Sequence, residues 1–448
     1  MTNSSPPVNK QVIVVGAGWA GLAAAVELCH RGHRVILIDA GQQLGGRARS
    51  IHYNGQTLDN GQHILLGAYK ELLGLLKTLG IQEADAFVRT RLNLKIDGLQ
   101  KTGLHITASQ LFSPLHMLFG LITARGLSLN EKRKIIRFWI SLQLSSFTIK
   151  QDIGLGEFLI KHQQTERITT LFWAPLCVAA LNTEISTAST EVFLNVLKNS
   201  FTGSRSNSDL LLPKSSLGGI LPEPAAHFIQ QHGGEIILGE RVISINLENE
   251  QLTGVVTDKN TYAASHMILA TPFKQTYRLL EALPEFSAFN QAIASLEHEP
   301  IATLYMQFPE NIRIDDYMLG ICDGVTQWLI DRRTCGQAGL IAAVISASGK
   351  HTAMDKATLT QTILQETARL FPHWPAPVTT FLMREKQATF SCTANSRRFR
   401  PSAGHLGKNI WVAGDYLDTG LPATLEGAVI SGLQCAREMI NQHNTILN

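Results

Sequence analysis

The chain has 448 residues, with 44% hydrophobic residues, 17% charged residues and a formal net charge of +3. That length exceeds one ordinary core and suits two intertwined domains, with enough apolar residues for a large interior or a greasy ligand. So small a net charge, with no arginine-rich stripe interleaved with aromatics, argues against a nucleic-acid partner.

The first ten residues are polar and proline-containing, with no apolar signal-peptide core. The run VIVVGAGWAGLAAAVEL follows as strand, glycine turn and alanine-rich helix. In this G-x-G-x-x-G pattern Gly16 permits the tight turn, Gly18 lets backbone approach a pyrophosphate, and Gly21 lets helix and strand pack closely. The helix, opening at Trp19 and Ala20, points its N–H groups and positive dipole end at the phosphates. A second strand, HRVILIDA, ends near Asp39, at the spacing of the carboxylate that binds ribose hydroxyls. Next come a second glycine pair and an arginine, Gly45, Gly46 and Arg47, an extended LDNGQHILLG, and the expected helix AYKELLGLLKTLG.

Residues 102–124 carry no Asp, Glu, Lys or Arg, and basic residues follow at Arg125, Lys132, Arg133, Lys134 and Arg137. Three readings stand: a core helix lining a greasy cavity, an interfacial helix on an anionic leaflet, or a span weakened by Pro114 and polar residues. Residues 105–200 are mostly helical by pattern, as in LGEFLIKHQQ and TEVFLNVLKNSF. Residues 209–222 mark a return to the first domain, before a helix and short strands that end at Thr271 and Pro272. The last block is strand, Gly414–Asp415 turn, and a helix opening near Pro422 and Ala423 that contains Gly427 and Gly432. Each interior helix glycine costs about 1 kcal/mol relative to alanine, so close approach to a backbone or ligand is expected there. The helix N-terminus would favour negative charge on a bound ligand. The six cysteines show no C-x-x-C spacing, which argues against zinc, iron–sulfur or a disulfide framework and fits a reducing cytosol. No metal site is expected.

The stretch QQLGGRAR with LDNGQHILLG resembles flavoproteins of the amine oxidase and phytoene desaturase superfamily. The resemblance implies FAD as the dinucleotide, with 45–49 along it and an arginine near its phosphates. Asp39 stands where glutamate is commoner. It also implies that Val242 lies beside the adenine through its backbone. The runs at 58–69, 172–189, 208–213, 384–393 and 414–432 are similar to the squalene-associated FAD-dependent proteins, the hydroxysqualene dehydroxylases. Gln387 departs from the basic residue expected at its place.

The implied fold is α/β: an FAD-binding Rossmann-type domain (1–85, 208–272, 385–448) interleaved with an α+β substrate domain (86–207, 273–384). The implied activity is replacement of the allylic hydroxyl of hydroxysqualene, a long-chain isoprenoid, by hydride from reduced FAD, with an external electron donor and peripheral contact at the cytoplasmic membrane. Asp59, His63, Asp418 and Glu426 are the candidate acids, although Asp59 also reads as turn chemistry and Glu426 as a flavin contact. Phe172, Trp173 and Phe390 read either as faces for an allylic cation or as core. The same flavin run in the opposite direction would make a polyene desaturase. An amine oxidase and a flavin-free prenyl-lipid carrier are the remaining alternatives.

Overall fold

The computed structural model describes residues 11–99 and 103–446, so the polar first ten residues and Thr102 lie outside it. Strand β1 (Val12–Val15) is apolar, rich in β-branched residues and enclosed on both faces, as a central parallel strand requires. It pairs in parallel with β2 (Val35–Asp39) on one side and with His266–Leu269 on the other. The complete sheet runs Glu235–Leu238, β2, β1, His266–Leu269, Ile410–Val412, Gly404–Gly407, with only the last strand antiparallel. Helix α1 (Trp19–His30) is buried on every side up to its last residue, the pattern of a core helix. It is crossed by the C-terminal helix Leu425–Ile446, at a point where a Cβ on Gly432 would collide with the Ala20 carbonyl. The expected α/β class holds.

A second, seven-stranded sheet has the order Thr379–Phe390, His298–Gln307, Leu340–Ser346, Trp328–Asp331, Met318–Ile321, Asn93–Asp97, Leu104–Thr107. Its strands pair antiparallel except Met318–Ile321 with Asn93–Asp97. Strand Thr379–Phe390 runs unbroken through position 385, where the sequence suggested a division between domains. Phe87–Thr90 and Leu210–Pro213, assigned by sequence to different domains, pair directly in a small sheet with Leu65–Leu66. The two bodies therefore share strands at their junction.

Within the charge-free stretch, the described residues form strand Leu104–Thr107 and helix Leu115–Thr123, and no described helix is long and apolar enough to cross a membrane. The C-terminal helix begins at Leu425, three residues beyond the expected Pro422. The reason is local: the Thr424 hydroxyl accepts the Gly427 N–H at 3.0 Å and starts the helix there, leaving Pro422 in the preceding loop.

Two glycines in helices should respond in opposite directions. Gly432→Ala forces a methyl group into the Ala20 carbonyl and should lower stability by about 1–3 kcal/mol. Gly74, exposed in helix Lys70–Thr78 with open space around it, should gain roughly 0.5–1 kcal/mol as alanine. Thermal unfolding of the two variants checks both signs.

Candidate functional site

The C-terminal ends of β1 and β2 open on a cavity of about 840 Å³, within the roughly 300–1,000 Å³ of small-molecule sites. Its floor is the glycine turn. Gly16 has φ +107°, and a Cβ there would strike the Ala270 carbonyl. Gly21 does not line the cavity; it lies beneath, where any Cβ would enter the Gly16 carbonyl. Gly18 differs from both: its φ of −74° suits any residue, and its Cβ direction meets nothing within 4 Å. The space above Gly18 is thus a cradle that a side chain would fill. Gly46 presses on Gly18 from the other side, with its Cβ direction 3.2 Å from the Gly18 Cα, and Gly18 and Gly45 form a parallel bridge. The two glycine motifs are one wall.

Trp19 and Ala20 also line the cavity, and the Trp19 indole is fixed by donating to the Ala48 carbonyl at 2.8 Å. Asp39 lies at the far end. Its two oxygens accept the Ala17 and Gly41 N–H groups, both at 2.6 Å. Each oxygen retains acceptor capacity for a ribose hydroxyl. Val242, Gly414, Asp415 and Ala423 line the cavity as well, whereas Pro422 does not. Arg47 lines it but is committed elsewhere: it binds Asp415 at 2.5 Å and donates to the Ala388 carbonyl at 2.9 Å. Arg49 is the neighbouring cation on the same wall, donating to the Gly46 carbonyl at 2.6 Å. The donor set fits FAD: carboxylates at the ribose end, a bare glycine turn with Arg49 beside it, and a helix N-terminus at Thr424 and Leu425.

Of the four candidate acids, the structure brings only His63 to the cavity wall. Burial lowers the His63 pKa, with the Asp59 charge opposing, so the ring is neutral near pH 7. Asp59 is turned away into a buried pair with Arg332 at 2.5 Å, and its other oxygen accepts the Leu217 N–H at 2.8 Å. Asp418 pairs with Arg397 at 2.8 Å, outside the lining. Glu426 accepts the Glu71 and Leu72 N–H groups at 2.9 and 3.0 Å, capping helix Lys70–Thr78. Burial pushes its carboxyl up to about 7, against the hydrogen bonds that favour the anion. Phe172, Trp173 and Phe390 are buried and line no part of the cavity; the Phe390 face is covered by the Arg400 guanidinium at 4.4 Å. Gly427, expected to meet a backbone or the flavin, faces the Thr419 and Thr424 hydroxyls and the Pro422 carbonyl.

Several residues were not assigned to the site from sequence. Glu385 lines the cavity, accepting from Asn60 Nδ2 at 3.1 Å and the Gln387 N–H at 3.2 Å. The same Asn60 amide donates to the Arg47 carbonyl at 3.1 Å, linking Glu385 to the glycine wall. Gln387 itself lines the cavity. Arg400 donates to the Tyr416, Leu417 and Leu421 carbonyls and so staples the loop after Gly414. Arg332 closes the network beneath His63: it donates to Gln62 at 3.0 Å, while Tyr305 joins Gln62 to the Asp59 carbonyl. The acid in REKQATF was the one signal available for Glu385. Among the described residues no cluster of metal-ligating side chains occurs.

Comparison with known proteins extends this picture to the whole chain. Residues 19–440 match the family described as flavin containing amine oxidoreductase. A hydroxysqualene dehydroxylase of Zymomonas mobilis is 24% identical over 447 residues, covering 96% of this chain and 99% of that protein. A probable zeta-carotene desaturase of Synechococcus elongatus is also 24% identical, covering 96% and 98%. Among solved structures, an oxidoreductase from Methanosarcina mazei superposes with a TM-score of 0.73 at 18% identity, covering 97% of this chain and 100% of that one. That last likeness is one of fold.

Gly18→Val should fold normally, since the backbone there is unstrained, yet fill the cradle and leave the purified protein nearly free of flavin. Absorbance per polypeptide, set beside the far-UV spectrum, checks this. Asp59→Asn strands the buried Arg332 charge and should cost about 3–5 kcal/mol of stability. A variant that kept wild-type thermal stability but lost turnover would return Asp59 to the catalytic list.

Proposed function

This chain belongs to the flavin containing amine oxidoreductase family and is an FAD-dependent oxidoreductase, and we propose that its reaction is the reductive dehydroxylation of hydroxysqualene to squalene. The observation that carries this reading is the end-to-end alignment with a hydroxysqualene dehydroxylase, which takes in the substrate half as well as the glycine wall. In the reaction an allylic C–O bond breaks, a C–H bond forms at the same carbon, and the oxygen leaves as water with one added proton. Reduced FAD, when bound, supplies the hydride and is oxidised by two electrons, which an external donor restores.

The chain's own residues are assigned to the leaving group, the developing charge and the exclusion of water. His63 takes up a proton from solvent and, because burial disfavours the charged ring, hands it readily to the departing hydroxyl. Glu385 presents a carboxylate held by Asn60 and the Gln387 N–H, placed to stabilise an allylic cation. Ile301, Ala423 and Leu425 supply apolar wall that keeps competing water from the cation. Asp415 is neutralised by Arg47 and positions that arginine against the strand of Glu385.

A polyene desaturase is the second reading, favoured by the full-length match to a desaturase. It uses the same cavity with hydride moving from substrate to oxidised flavin. Protein carrying reduced FAD, given hydroxysqualene without oxygen, should release squalene, identified by mass. His63→Ala should keep its flavin and lose about a hundredfold in kcat. Desaturated product from phytoene with oxidised flavin, and no squalene, would overturn the proposal.

A further inference from the structure

The helices Leu115–Thr123 and Leu129–Leu144 form an antiparallel hairpin. Lys132 Nζ donates to the Ile122 carbonyl at one end, and at the other Ser113 and Trp139 both meet Phe201. Their inner faces enter one core through Met117, Leu121, Ile135, Phe138, Trp139 and Leu142. Their outer faces therefore share the solvent side. On that side Leu115, Phe119 and Ile122 follow helical spacing, with Phe112 exposed in the turn just ahead of them, and Ile140 and Leu144, which is 83% exposed, continue the face on the partner helix. Apolar side chains gathered in this way are uncommon on a surface that meets only water.

Charge decides what covers them. Arg125, Arg133 and Arg137 are exposed around this face, and none is paired with a described carboxylate. Between residues 103 and 151 the sole acidic residue is Glu131, which is buried, caps its own helix and binds Arg167 at 2.9 Å. The face is therefore apolar with a cationic rim. A second copy of the chain would bring like charges together across a two-fold axis, which is unfavourable. A bilayer with anionic headgroups offers hydrocarbon to the first feature and counter-charge to the second. With no described helix able to cross a membrane, the contact is on one leaflet. We propose that this hairpin seats the protein on an anionic phospholipid surface, with Phe112 and Phe119 in the acyl boundary and Arg133 and Arg137 among the headgroups. The inference stands on the surface alone and is independent of which substrate the cavity takes.

The test is flotation of the full-length, FAD-loaded protein with vesicles of phosphatidylcholine alone or mixed with phosphatidylglycerol, at low and high salt. The protein should float with the mixed vesicles, and less so as salt rises. Phe112→Ser with Phe119→Ser should weaken binding at least roughly tenfold, and Arg133→Gln or Arg137→Gln about fivefold each. Retained flavin verifies that each variant folds. As a second measure, Phe119→Trp should add emission that shifts to the blue on addition of mixed vesicles. Wild-type protein that stays with neither vesicle, or binding indifferent to these substitutions, overturns the proposal. A solution dimer dissolved by the phenylalanine variant also overturns it and gives the face to a second copy.

Discussion

Everything at the cavity depends on backbone meeting backbone without a Cβ between. The turn after β1 is approached from three directions. Ala270 comes from the neighbouring strand at Gly16, Gly46 comes from the loop after β2, and α1 folds back so that Gly21 lies on the Gly16 carbonyl. A single methyl group at Gly16 or Gly21 would push apart elements that no other contact can bring as close. What remains uncovered, above Gly18, is the space where phosphates gain N–H groups and a helix dipole without displacing any side chain. The loss of side-chain packing at these positions is offset by the sheet beneath, whose central strands are enclosed on both faces.

Two ion pairs then set how the second body bears on that wall. Arg47 reaches from the glycine loop to Asp415 and to the backbone of strand Thr379–Phe390, so glycine loop, C-terminal turn and seven-stranded sheet share one guanidinium. Asp59 and Arg332 do the same deeper down, both nearly unexposed. A buried pair contributes little net stability, because desolvation consumes most of the attraction. Its effect here is on specificity of arrangement: with Gln62 and Tyr305 it fixes the segment that carries His63. Asp59 is therefore a structural partner of Arg332 beneath His63 and not a group on the cavity wall.

The contrast between what was legible in the sequence and what was not follows from range. The glycine turn, Asp39, the Gly45–Gly46 pair and the Gly414–Asp415 turn are local backbone devices, and each declares itself within a few residues of strand and helix patterns. Asp59, Asp418 and Glu426 carry the right chemistry for an acid, but each is spent on a partner, and those of Asp59 and Glu426 lie far off in sequence. Arg332 is 273 positions from Asp59, and the helix end that Glu426 caps is 354 and 355 positions away. No periodicity encodes such a pairing. Glu385 was missed for the converse reason. It sits in an exposed-looking, mixed-charge run, and its place on the cavity follows from a register irregularity in that strand, with Asn60 holding the carboxylate.

The C-terminal helix unites these strands of reasoning. Gly432 packs it on α1, Glu426 caps helix Lys70–Thr78, and its first turn meets the cavity at Thr424, Leu425 and Ala428. The β1 turn and the β2 carboxylate are built from neighbouring sequence. The last segment of the chain adds Gly414, Asp415, Ala423, Thr424, Leu425 and Ala428 to the pocket wall, and Arg400 holds the loop that leads into it. A ligand that spans both walls binds only the assembled state, so it stabilises that state in proportion to the logarithm of its concentration over its dissociation constant. Flavin binding and docking of the C-terminal helix are for this reason thermodynamically linked. Loosening the Gly432 crossing should then weaken the cofactor as much as it weakens the fold.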